Sequence, residues 1–93
     1  MNKVNKSKRR QNERKFEYWE EFSDGSRQYW YDVPGQQGWS ARYLKKVDDT
    51  ETTLKFWQEI YNEYNELVEI HVKYPVDTGH QRLTIGGTNG HYS

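Results

Sequence analysis

The chain has 93 residues and a mass of 11.3 kDa, room for one domain with a modest core. It has no cysteine, which excludes a disulfide framework, a zinc ribbon and a thiol nucleophile. It also has no apolar run near the roughly 18 residues of a membrane span, and no apolar stretch follows the basic amino terminus. The expectation is a soluble, cytoplasmic protein that contacts no membrane and needs no cofactor.

The formal net charge of zero hides an asymmetry. Residues 1–15 hold seven Lys or Arg against one Glu, and residues 16–93 hold seven cations against 13 carboxylates. Residues 1–14 contain one Val and no aromatic ring. They offer too little apolar surface to offset an ordering entropy of roughly 1–2 kcal/mol per residue. The prediction is a disordered basic tail over 1–14, a single β-rich domain over 15–83, and a flexible Gly-rich tail over 84–93. Leu, Ile, Val and Phe are sparse, but 15 aromatic residues can build a core because each ring buries a large area.

The folded part opens on a hairpin around Asp24-Gly25, a two-residue type I′ signal. In that register Tyr18 opposes Tyr31 and Trp19 opposes Trp30. Phe16, Tyr18, Phe22, Tyr29, Tyr31 and Val33 then share the core face, and Trp19 and Trp30 share the reverse face. Pro34-Gly35 ends the second strand, and Trp39 to Val47 reads as a third.

Residues 50–65 support two patterns. Leu54, Trp57, Ile60, Tyr61 and Tyr64 fall at helical spacing, which would give an α+β fold with a helix at about 50–64 packed on the sheet. The preferred pattern turns at Asn62-Glu63-Tyr64-Asn65, with Asn65 left-handed, and pairs Ile60 with Val68, Gln58 with Ile70 and Phe56 with Val72. That register sets Glu59 against Glu69 and Lys55 against Lys73, a repulsive feature. Leu67 to Tyr74 alternates cleanly as a strand. The expected fold is mainly β, an antiparallel meander of about five strands.

Three features point toward function. The cations of the first segment, Lys8, Arg9, Arg10 and Arg14 among them, suit nucleic acid or an acidic protein, because lysine and arginine displace counterions from phosphates. Trp19 and Trp30, if uncovered, would form a contact patch on the sheet; a helix, a crossing strand or a second copy of the chain would bury them instead. The resulting expectation is a non-enzymatic module that binds a macromolecule through residues 1–15 and an aromatic sheet face. The alternative is a small metal-independent ribonuclease or toxin, with His71 and His80 as acid and base and Lys73 and Arg82 on phosphate. The spacing of Asp77, His71 and His80 does not fit a metal site. Trp19-Glu20, Asp24-Gly25 and Tyr29-Trp30-Tyr31 follow the order of signals in WW domains over residues 19–39. The family's His and Thr positions and closing proline are missing, so the sequence assigns no family.

Overall fold

The computed structural model describes residues 3–83, so the expected Gly-rich tail at 84–93 lies outside the described residues. Among the described residues one helix, α1 (Lys6–Lys15), precedes six strands: β1 (Tyr18–Glu21), β2 (Arg27–Pro34), β3 (Ser40–Val47), β4 (Thr53–Tyr61), β5 (Leu67–Tyr74) and β6 (Gly79–Arg82). The strands form one antiparallel sheet in sequence order, a meander. The fold is mainly β as expected, with six strands where about five were anticipated. Residues 50–64 contain β4 and its flanking turns rather than a helix. Among the described residues no helix is long and apolar enough to cross a membrane.

The helix stands where a tail was expected, and polar chemistry is the reason. Asn5 caps it, its side chain accepting from the Lys8 amide at 3.0 Å. Lys, Arg, Gln and Glu are all good helix formers, and Arg14 and Lys15 sit favourably in the last turn. No apolar stripe runs along it. Asn5, Arg9, Asn12, Glu13 and Phe16 share a face at helical spacing, and that face docks on the sheet. The Asn5 amide donates to Thr50 O at 2.9 Å. Asn12 is buried and donates to Glu51 Oε2 at 3.1 Å, Arg9 donates to Glu51 Oε1 at 3.0 Å, and Glu13 receives Arg27 at 2.8 Å.

The first hairpin also differs from expectation by one residue. Its loop is Ser23-Asp24-Gly25, closed by the Phe22 amide to Ser26 O and the Gly25 amide to Phe22 O, both at 2.9 Å. Only Gly25 is left-handed (φ 86°), whereas a type I′ turn would require Asp24 to be so as well. Asp24 instead accepts from the Ser26 amide and hydroxyl, holding the longer loop. Tyr18 therefore faces Trp30 and Trp19 faces Tyr29. Because strand side chains alternate, Trp19 and Trp30 point to opposite sides of the sheet.

A second correction follows at β4–β5. The pairing starts with Tyr61 opposite Leu67, then shifts at bulges between Ile60 and Tyr61 and between Phe56 and Trp57. Glu59 thus meets Ile70 rather than Glu69, and the like-charge pairs of the simple register are avoided. Val72 comes opposite Trp57 and Tyr74 opposite Phe56.

The outcome is three ladders of facing side chains. Tyr18, Trp30, Leu44, Trp57 and Val72 cross the sheet on the reverse side, where Leu44 and Trp57 are buried. Trp19, Tyr29, Lys45, Phe56 and Tyr74 cross it on the helix side. Beside them run Tyr31, Tyr43, Gln58, His71 and His80. Phe16, from the end of α1, closes the core with Tyr29 and Val47; Tyr31 and Phe56 pack against that cluster.

Candidate functional site

The helix side concentrates cations that, among the described residues, are in no ion pair, over aromatic rings. Lys8 and Lys15 of α1 and Lys45 of β3 line a cavity of about 440 Å³ together with Phe16, Phe56 and Tyr74. The Lys15 ammonium lies 5.7 Å from the Phe16 ring and 5.8 Å from the Phe56 ring. Lys73, on β5, lies 5.8 Å from Phe56 and 5.2 Å from Tyr43. Two ammonium groups thus approach one phenylalanine ring, a cation–π arrangement that extends the charged surface from α1 to β5. Lys45 also donates to Asn12 Oδ1 at 2.9 Å. Burial lowers its pKa, and the like charges of Lys15 and Lys8 act in the same direction against the opposing pull of Glu51.

Carboxylates are committed elsewhere. Glu51 is fully buried and engages Arg9, Asn12 and the Tyr29 hydroxyl. Glu13 and Glu21 pair with Arg27, and Asp32 pairs with Arg42. Glu59 accepts from Trp57 and Tyr61, while Asp24 and Asp48 accept within their own loops. Among the described residues none of Lys8, Lys15, Lys45 and Lys73 is in an ion pair. The overall neutrality of the chain therefore does not extend to this face.

The residues singled out from sequence separate into groups. Lys8 lines the cavity, and Arg10 and Arg14 are exposed on α1, but Arg9 is spent on Glu51. Trp19 remains partly exposed beside Tyr29, with the Arg27 guanidinium 5.7 Å from its ring. Trp30 stacks on Tyr18 across the reverse side under Arg42. The joint Trp19–Trp30 docking surface does not form.

His71 and His80, in contrast, are direct cross-strand partners with ring centroids 4.6 Å apart. His71 Nε2 lies 2.6 Å from Asp77 Oδ1, and its Nδ1 is buried without a partner. His80 Nδ1 lies 3.2 Å from Glu69 Oε1. The Gly79 amide first, then His71, hold the Asp77 carboxyl below its usual range. Arg82 stands opposite Glu69, and Lys73 is two residues along the strand from His71. Strand alternation puts Glu69 and His71 on one face, and β6, a strand the sequence reading did not anticipate, brings His80 and Arg82 opposite them. In-line phosphoryl chemistry, however, needs one nitrogen on the attacking oxygen and another on the leaving oxygen. As folded, His71 directs one nitrogen at Asp77 and the other into the interior, so His80 alone presents one. Among the described residues, no group of three or more His, Asp or Glu side chains is placed to hold a metal ion.

Lys45, Phe56 and Tyr74 escaped the sequence reading. Lys45 faces Phe56 in the regular β3–β4 register, and a bulge then sets Tyr74 opposite Phe56; no local signal marks that bulge. Compared with known proteins, this chain matches no family model, no curated sequence and no solved structure.

Proposed function

We propose that the domain is a binding module for nucleic acid, held on the helix side of the sheet. One observation carries this: among the described residues, four lysines outside any ion pair lie around the half-exposed Tyr74 and the partly buried Phe56, above the core residue Phe16. Phosphates suit the lysines, and bases suit the rings, because every base has a π-face that an aromatic side chain can meet. An acidic protein surface would use the lysines but supply no planar group for the rings. The helix is the largest source of charge, and Lys6, Lys8, Arg10 and Arg14 are exposed on it. Docking through Glu51 orients those charges, so association is not the work of a loose tail.

The test is a titration of a labelled oligonucleotide followed by anisotropy at several salt concentrations. Replacing Lys8 and Lys15 by alanine removes two exposed cations and leaves the Glu51 network intact. Each lost phosphate contact lowers the slope of log K against log salt by about 0.7–0.9, so the double variant should lose nearly twice that and bind more weakly at low salt. An unchanged slope with unchanged affinity would sink the proposal.

A further inference from the structure

We infer that the cavity between α1, β3, β4 and the end of β5 is a seat for one unstacked nucleotide of a single strand, its phosphate on Lys8, Lys15 and Lys45 and its base on the ring of Tyr74. The inference rests on the nucleic-acid reading and narrows it to a form of nucleic acid.

Shape supports it first. At about 440 Å³ the cavity falls in the range of roughly 300–1,000 Å³ that holds small organic ligands, which matches a nucleotide unit and is far too small for a duplex. The rings supply the second argument. Tyr74 is half exposed at the carboxyl end of β5 and lines the cavity beside Phe56, so its ring is accessible to a ligand there. A paired base is stacked on both sides within its duplex and has no face to give, whereas single strands can splay a base onto an aromatic side chain.

Charge supplies the third. Lys8, Lys15 and Lys45 line a space where, among the described residues, the buried carboxylate is Glu51, which already serves Arg9, Asn12 and Tyr29. Burial first, then the Lys15 charge, disfavours protonation of Lys45. A phosphate placed among these lysines would offset their charge and exchange part of its water shell for N–H donors. The cavity thus combines a cationic wall with an aromatic lip, and the two ends of a nucleotide need those two surfaces.

The experiment uses the full chain, a short oligothymidylate labelled at its 3′ end, and a duplex of the same length. Wild-type protein should bind the single strand more tightly than the duplex. Tyr74→Ala should weaken single-strand binding by about five-fold or more and leave duplex affinity and the salt slope unaltered. Tyr74→Phe, which keeps the ring, should retain wild-type affinity. If Tyr74→Ala binds the single strand like wild type while the Lys8 and Lys15 double variant is weakened, the nucleic-acid reading stands and the nucleotide seat falls. If neither strand form binds at low salt, both fall together.

Discussion

The loops β3–β4 and β4–β5 have nearly the same backbone and opposite chemistry. In the first, the Asp48 amide donates to Thr52 O at 2.9 Å and the Glu51 amide to Asp48 O at 3.1 Å; in the second, Asn62 to Glu66 O and Asn65 to Asn62 O are both 3.0 Å. Asp48 and Asn62 each accept from the amides two and four residues ahead. Each loop ends on a left-handed residue, Glu51 at φ 80° and Asn65 at φ 61°. Asparagine accepts that conformation readily, but for other L-residues it costs roughly 1–2 kcal/mol. Asn65 is exposed, and Glu51 is fully buried with three side-chain partners. The same turn is thus a connector in one place and an anchor in the other. The unfavourable backbone persists at Glu51 because its carboxylate holds α1.

The comparison breaks most directly at Glu51. Replacing it with alanine leaves Arg9, Asn12 and Tyr29 without their shared acceptor, and removing one partner of a buried pair costs about 3–5 kcal/mol. Glu51→Ala should therefore lose about that much stability on chemical denaturation, along with the far-UV circular dichroism of α1. A loss below about 1 kcal/mol, the scale of an exposed pair, would show that the helix does not depend on this carboxylate.

Acid supplies a milder version of the same perturbation. Burial alone would raise the Glu51 pKa, but the hydrogen bonds from Tyr29, Asn12 and Arg9 outweigh it and hold the carboxyl below its ordinary 4.5. Burial, followed by the Glu51 hydrogen bond, pushes the Tyr29 hydroxyl up to about 12, so that hydroxyl stays protonated and remains a donor. A carboxyl with a lowered folded pKa contributes stability that is fully present above the unfolded value and is lost as pH falls through the folded one. The stability gap between wild type and Glu51→Gln, expected at about 1–3 kcal/mol at neutral pH, should narrow below pH 4.5. A gap that stays constant into acid would show that Glu51 titrates alike in both states.

This pairing of loops also separates what sequence reveals from what it conceals. Asn65 announces its turn, because asparagine is among the few residues that favour left-handed backbone, and the clean alternation of Leu67 to Tyr74 completes that hairpin. Glu51 announces nothing, since glutamate is no turn former, and its reason for being there lies 39 positions away at Asn12. The helix was invisible for a related cause: the face it docks with is Asn5, Arg9, Asn12 and Glu13, of which Asn12 is buried, and patterns of apolar residues do not register a polar interface. The Asp24-Gly25 turn was legible, but its length rested on one dihedral angle, and one residue of difference sent Trp19 and Trp30 to opposite faces. At the candidate site Lys8 and Lys15 could be read from the basic run of residues 1–15, whereas the contact of His71 with His80 needed a sixth strand that the sequence did not announce. The neighbours Lys45, Phe56 and Tyr74 could not be read, because the pairing of β3 with β4 and, for Tyr74, a bulge set their positions.

The smallest test asks whether backbone strain at Glu51 is real and separable from its contacts. Glycine enters left-handed conformations without a Cβ penalty. Glu51→Gly and Glu51→Ala both delete the carboxylate, so their difference isolates the backbone, and the glycine variant should be the more stable by about 1 kcal/mol. At the exposed Asn65 the same exchange carries no network to lose. Asn65→Ala should cost up to about 1 kcal/mol, and Asn65→Gly should stay within a few tenths of wild type. All four variants can be compared by urea denaturation, with m-values checked for constancy. If glycine and alanine prove equal at Glu51 but differ at Asn65, the first loop relaxes once its carboxylate is gone. The left-handed turn there would then be a consequence of docking α1, whereas at Asn65 it is written into the residue itself.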